Sequence, residues 1–306
     1  PEKNACVQSA LSSYFHCQLI RTAKMSYLIA DSGSTKTQWC IVRSGQEPEE
    51  CYTTGINPIY LSEADIRNLL VREFPVGCTG IEKIWFYGAG CAFPEKNACV
   101  QSALSSYFHC QEVEIASDLM GAARALCGRR PGIVGILGTG SNSCYYDGKE
   151  IVSNVAPLGF ILGDEGSGAD LGKRLVADLL KGILPSELKE LFFAETQTSY
   201  AGIIENVYRR PLPNRYLADF TSFIRRHIGF PEIEQIVLEA FDSFIGRNLM
   251  QYRQISETEI SFTGSIAYIF KKQLERQLQK YGLKPGVFKQ APMNGLKEYH
   301  KIDMIL

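Results

Sequence analysis

Two stretches of this chain follow one plan: a short apolar run, a turn of glycine and hydroxyl residues, and a second short run of β-formers. The first occupies residues 27–30, 31–37 and 39–42, the second residues 133–137, 138–143 and 143–146. Each flanking run has the length and composition of a strand, so each stretch reads as strand, loop, strand. The pattern implies a lobe duplicated in architecture though not in letters. Two such loops facing each other would pinch a polyphosphate.

In the first loop, Gly33 lets the backbone turn, and Ser34 and Thr35 with consecutive amide groups can converge on an anion. Asp31, at the end of a strand, can hold a hydrated Mg²⁺ beside that anion. Lys36 either approaches a phosphate or is solvated. Serine, glycine and aspartate are also what ordinary hairpin turns use. The second loop, with Gly138, Thr139, Gly140 and Ser141, shifts the reading towards a phosphate grip. The first loop is not a Walker A motif, which needs Gly-x-x-x-x-Gly-Lys-Ser/Thr opening a helix.

Around these units the periodicity predicts a third strand near 51–54, a helix over 63–73, a strand over 81–87, a helix over 95–108 and a strand over 112–116. Strand–helix–strand alternation means crossovers and a partly parallel sheet. A helix runs from Ser117 or Asp118 to about Cys127, with either residue suited to its cap. Residues 128–132 break the chain and are the expected boundary between lobes. A third glycine-rich run, 158–170, opens a long helix, and residues 185–249 read as almost wholly helical. A late strand over 259–263 ends in Gly264 and Ser265 at the mouth of a helix over 266–281, a plausible seat for a nucleotide's sugar or phosphate.

With 306 residues, 45% of them hydrophobic, the chain can bury substantial cores, and length alone suggests two domains or one large one. Its 32 basic and 33 acidic residues give a net charge of -1, which calls for neither nucleic acid nor an anionic membrane. No apolar run spans a bilayer and no signal peptide pattern stands at the start, so a cytoplasmic location is expected. The ten cysteines form no Cys-x-x-Cys pair or zinc spacing and read as reduced, mostly core thiols. The four histidines show no spacing that suggests a site. Residues 1–18 repeat residues 94–111 letter for letter, and divergence would not leave an internal repeat unblemished. Residues 1–24 are therefore expected to be an artefactual or unstructured extension.

Taken together, ADSGSTKT, GINP, SDLMGAA, ILGTGSNS, LGDEGSGADLG and ISFTGSIA, in this order, resemble the N-acetylglucosamine kinases within the BadF/BadG/BcrA/BcrD-type ATPases of the actin and sugar-kinase superfamily. The resemblance covers essentially all of residues 25–300. It implies an α/β, two-lobed actin/hexokinase-like (ribonuclease H-like) fold, each lobe a mixed five-stranded sheet with helices, with ATP and a sugar in the interlobe cleft. The lobes are expected at 25–130 and 131–290, with a helical insertion at about 185–255 and residues 291–306 returning to the first lobe. Hinges are expected near 128–132 and 292–299.

Position by position, Thr35 and Thr139 resemble the γ- and β-phosphate contacts, and Asp31 the acidic residue near Mg²⁺. Asn57 resembles a sugar-hydroxyl ligand, unless it only forms a turn. Asp118 resembles the catalytic and substrate-binding aspartate, and Asp164 a sugar ligand, with Glu165 and Gly159 beside it. Gly264 and Ala240 would line the adenosine pocket. One departure stands out: vertebrate-type members carry Gly-Trp-Gly ahead of GDEGS, and this chain has Pro157, Leu158 and Gly159. The resemblance also implies a homodimer acting on a small sugar with Mg-ATP. The rival class is an ATP-driven switch of the 2-hydroxyacyl-CoA dehydratase activator type, which would need cluster cysteines that no motif here supplies.

Overall fold

The structure is a computed structural model, and it describes residues 26–33, 35–75 and 80–303. The repeat at residues 1–18 lies outside the described residues. The chain divides into two compact units, and the division falls between Asp118 and Leu119.

The first unit contains β1 (Ser26–Ser32), β2 (Lys36–Arg43), β3 (Glu49–Thr54), α1 (Glu63–Glu73), β4 (Ile81–Gly88), α2 (Pro94–Phe108) and β5 (Glu112–Ser117). Its sheet runs β3-β2-β1-β4-β5. The β1–β2–β3 meander is antiparallel, and β1, β4 and β5 are parallel. Ser62 starts α1 through a capping box with Asp65, which satisfies two helix-end donors. Trp39 is fully enclosed, with the rings of Phe74, Phe86 and Phe108 at 5.3, 6.0 and 6.1 Å. Its indole nitrogen donates to Thr53 Oγ1 at 3.0 Å, so the largest core side chain is buried without a stranded donor.

The second unit is entered through α3 (Asp118–Cys127) and continues with β6 (Gly132–Leu137), β7 (Ser141–Tyr146), β8 (Ile151–Val155), α4 (Gly159–Leu162) and α5 (Gly168–Leu180). The expected helical stretch resolves into α6 (Ser186–Thr196), α7 (Tyr200–Tyr208), α8 (Pro213–Asp219), α9 (Thr221–Arg226) and α10 (Pro231–Arg247). Then come β9 (Ile260–Thr263), α11 (Ser265–Ile269), α12 (Lys271–Lys280), β10 (Pro285–Lys289) and α13 (Met293–Asp303). The sheet order is β10-β9-β6-β7-β8, with β6, β9 and β10 parallel and β7 and β8 antiparallel. Read from its meander outwards, this is the topology of the first sheet repeated.

Strand alternation splits the core of this unit. Ile133 and Leu137 face the large cluster under the helices, and Val134 faces Leu119, Ala122, Ala123, Leu126 and Cys127 of α3. That contact explains why the division lies ahead of the glycine-rich break at 128–132, where the sequence placed it: α3 is a packing partner of the second sheet. The tail departs from expectation in the same way. A Cβ on Gly295 of α13 would collide with the backbone of Ala125, so α13 lies against α3 and belongs to the second unit.

Candidate active site

In a sheet of parallel strands, ligand groups collect at the carboxyl ends. In the first unit Ser32, Gly88 and Ser117 pair across β1, β4 and β5. Asp31 is therefore the penultimate residue of one strand, while Asp118, the first residue of α3, follows another. The two carboxylates sense each other. Asp31 is only partly buried as a residue, yet its carboxyl is pushed up to about 7, first by burial and then by Asp118, with Lys36 acting in the opposite direction. Behind them Cys91 is buried, and burial followed by the Asp118 charge pushes its thiol up to about 12.

The hydroxyls of the first loop divide by role. Ser32 and Thr37 face inward and bond each other at 2.7 Å, and both accept from the Ile56 amide, at 2.9 and 3.2 Å. They serve to dock the 55–58 segment, a role the sequence did not reveal. Thr35 and Lys36 are exposed, the Lys36 ammonium lying 5.1 Å from the Tyr52 ring centroid, and Gly33 closes the turn by donating to the Lys36 carbonyl at 3.0 Å. Ser34 lies outside the described residues. Asn57 does form a turn: its Oδ1 accepts from the Ile59 amide at 2.9 Å. Gly90 packs against the same oxygen. The other end of the carboxamide, a nitrogen donor, is what Asn57 can offer a ligand.

In the second unit three of the predicted motifs come together. The Gly138 and Thr139 carbonyls accept from the amides of Gly168 and Ala169, at 2.8 and 3.1 Å, so the first turn of α5 holds the loop. Asp164 Oδ1 accepts from the Ser141 amide at 3.1 Å, with Gly140 against the same carboxylate. Asp164 is buried and sits in the left-handed region at φ 58, and burial raises its pKa. Gly264, at φ +109, lies so close to the Leu137 carbonyl that no Cβ would fit. Gly138–Ser141, Asp164 and Gly264 thus form one laced edge.

Two predicted residues fall elsewhere. Glu165 is engaged by Arg247 at 2.5 Å and by Asn248 at 3.3 Å, partners more than 80 positions away that no local pattern announced. Ala240 is fully enclosed in the apolar core beneath Gly166 and presents no surface to a ligand. Gly159 is exposed at the start of α4, where Leu158, Ile161 and Leu162 also stand in solvent. A groove of about 440 Å³ between α10 and α12, lined by residues such as Glu239, Asp242, Arg276 and Lys280, contains none of the motif residues. Among the described residues no group of three or more His, Cys, Asp or Glu side chains is placed to hold a metal ion, and no helix is long and apolar enough to cross a membrane.

The doubled sheet topology defines an α/β protein of the actin/hexokinase-like fold. No family model matches the chain, and no curated protein does. Among solved structures, a Porphyromonas gingivalis protein named as a candidate N-acetylglucosamine kinase is 44% identical, with TM-score 0.86, over 91% of this chain and 99% of that one. A Chromobacterium violaceum protein of the same designation shares the fold at 16% identity and TM-score 0.70, covering 90% of this chain and 99% of that one. MreB 5 of Spiroplasma citri, bound to AMPPNP, shares it at 12% identity and TM-score 0.56, covering 92% and 97%. The chain belongs to the N-acetylglucosamine kinase-like family of sugar kinases.

Proposed function

We propose that this protein transfers the γ-phosphoryl group of Mg-ATP to the 6-hydroxyl of an amino sugar, with N-acetylglucosamine the foremost substrate. The observation that carries the reading is the pair Asp31 and Asp118 at the carboxyl edge of parallel strands, with Asp118 opening a helix. Phosphoryl transfer asks the protein for placement, charge neutralisation and a group that orients the attacking hydroxyl. Asp118 accepts the proton of that hydroxyl as its oxygen bonds to phosphorus and the bond to the ADP oxygen breaks. The α3 N-terminus favours its ionised form.

Asp31 would hold magnesium. Two neighbouring carboxylates, one with its proton affinity raised first by burial and then by the other's charge, are a donor set whose repulsion a divalent cation relieves. When bound, the metal would neutralise phosphate charge. Gly33, Ser34, Thr35 and Lys36 serve the γ-phosphate, Gly138, Thr139, Gly140 and Ser141 the β-phosphate, and Gly264 the adenosine. The Asn57 amide nitrogen, the Asp164 carboxylate and the Gly159 backbone serve sugar hydroxyls, because carboxylates make strong, oriented acceptors. Glu165, already ion-paired, acts through that loop. On the family's pattern the protein works as a cytoplasmic homodimer.

The test is a coupled ADP-release assay with Mg-ATP, run with N-acetylglucosamine, glucosamine, N-acetylmannosamine, glucose and no sugar. Strong acceleration by N-acetylglucosamine alone is expected. Slow hydrolysis that no sugar accelerates would overturn the kinase reading in favour of an ATP-driven switch. Replacing Asp118→Asn should lower kcat by roughly 10²–10⁴-fold while leaving ADP affinity nearly unchanged. Full activity in that variant would remove Asp118 from the chemistry.

A further inference from the structure

Asp118 is only as well placed as the helix that carries it. The α3 surface towards β6 and β7 includes small side chains, Ala122 and Ala123, beside Leu119, Leu126 and Cys127. Packing of that face against the sheet buries apolar surface along one side of the helix. A further constraint comes from α13. Gly295 and Tyr299, four residues apart and so on one helical face, both address α3. Gly295 meets the Ala125 backbone with no room for a side chain. One turn further on, the Tyr299 ring takes the Arg124 guanidinium at 5.2 Å and the Arg129 guanidinium at 4.9 Å from its centroid. Both distances are within the range of cation–π attraction.

The clamp is also tied to the sheet. Tyr299 shares a side-chain hydrogen bond with Tyr146, which is fully buried and donates to the Gly128 carbonyl at 3.2 Å. One aromatic residue thus joins α3, the turn after it, and β7. The segments 128–132 and 292–299, which the sequence suggested as hinges, are fastened to each other through Arg129 and Tyr299.

We infer that Tyr299 is a positioning residue: through its grip on Arg124 and Arg129 it fixes the axial and rotational setting of α3 and thereby the aim of the Asp118 carboxylate. This rests on the reading of Asp118 as the base of a sugar kinase. A helix of 10 residues is a rod of about 15 Å, so a slip at Arg124 is transmitted to its first residue. A misplacement of about 1 Å can cost a reaction on the order of 10²-fold.

The experiment compares the wild type with Tyr299→Leu, Tyr299→Phe and Arg129→Gln, all assayed well below their unfolding temperatures. Tyr299→Leu should lower kcat roughly 10- to 100-fold, with KM for the sugar and ADP affinity nearly unchanged. Tyr299→Phe keeps the ring and should restore most of kcat. Amide hydrogen exchange along α3 should be at least about tenfold faster in Tyr299→Leu and close to wild type in Tyr299→Phe. Unchanged α3 exchange in Tyr299→Leu, or retained kcat despite faster exchange, overturns the inference. Should Tyr299→Leu not fold, Arg129→Gln decides, since Arg129 is exposed and its loss spares the core. There, kcat and α3 exchange both at wild-type values overturn the inference. A wild type that phosphorylates none of the sugars ends the kinase reading and the aiming role together, while the exchange data still report on the clamp.

Discussion

Asp31 holds its proton to about pH 7, where an ordinary aspartate in the unfolded chain releases it near 3.8. Between those values the folded chain binds a proton that the unfolded chain has lost, so stability falls as pH rises through this window. The residue's contribution is fully present below about 3.8 and is gone above 7. Asparagine resembles the protonated form. In a chelating buffer, Asp31→Asn should therefore melt higher than the wild type at pH 8, with the difference vanishing towards pH 4. A difference independent of pH would show that the carboxyl is not desolvated. Legibility at this scale follows distance along the chain. Asp31, Asp118, Asp164 and Gly264 stand in short motifs that single them out in the sequence, and the roles proposed for them come from the resemblance those motifs carry. The Arg247 partner of Glu165 and the enclosure of Ala240 depend on helix packing that no local pattern encodes.

At the scale of elements, the glycines of LGDEGSGADLG have separate tasks. Gly168 donates to the Gly138 carbonyl at the start of α5, while Gly172 sits where α5 crosses α8. A Cβ at Gly172 would collide with the Leu217 backbone, which cannot step aside as a side-chain tip can. Gly172→Ala should thus cost about 1–3 kcal/mol, read as a lower urea midpoint with unchanged slope. A midpoint equal to wild type would mean that α8 moves freely. The strands and most helices were legible because their periodicity is strong. Others were not. Strand β10 begins Pro285-Gly286, which reads as a turn; at a sheet edge the missing donor of a proline costs nothing. The expected single helix over 266–281 is α11 and α12, broken at Phe270 (φ -103, ψ 30), a buried residue with no glycine or proline to announce the break.

On the scale of the whole molecule, the repeated topology was visible as two strand–loop–strand units, but the seam between the units was not. Glycines and a proline at 128–132 look like a linker because composition reports local flexibility. Which sheet a neighbouring helix covers is a matter of tertiary packing. The two placements of the seam predict different behaviour when the chain is divided. A fragment starting at Leu119 keeps α3 over Val134, Cys144 and Tyr146, and keeps the Arg124–Tyr299 contact. A fragment starting at Gly132 uncovers those three side chains, which are fully buried in the intact chain. Uncovering side chains the size of Val134 and Tyr146 costs roughly 1.5–3 kcal/mol each, a large part of the stability of a typical domain. We expect the fragment from Leu119 to give a cooperative urea transition and the fragment from Gly132 to bind a hydrophobic dye and unfold without one. Equal cooperativity in the two fragments would mean that α3 is dispensable to the second sheet and that the seam lies at the glycine-rich turn after all.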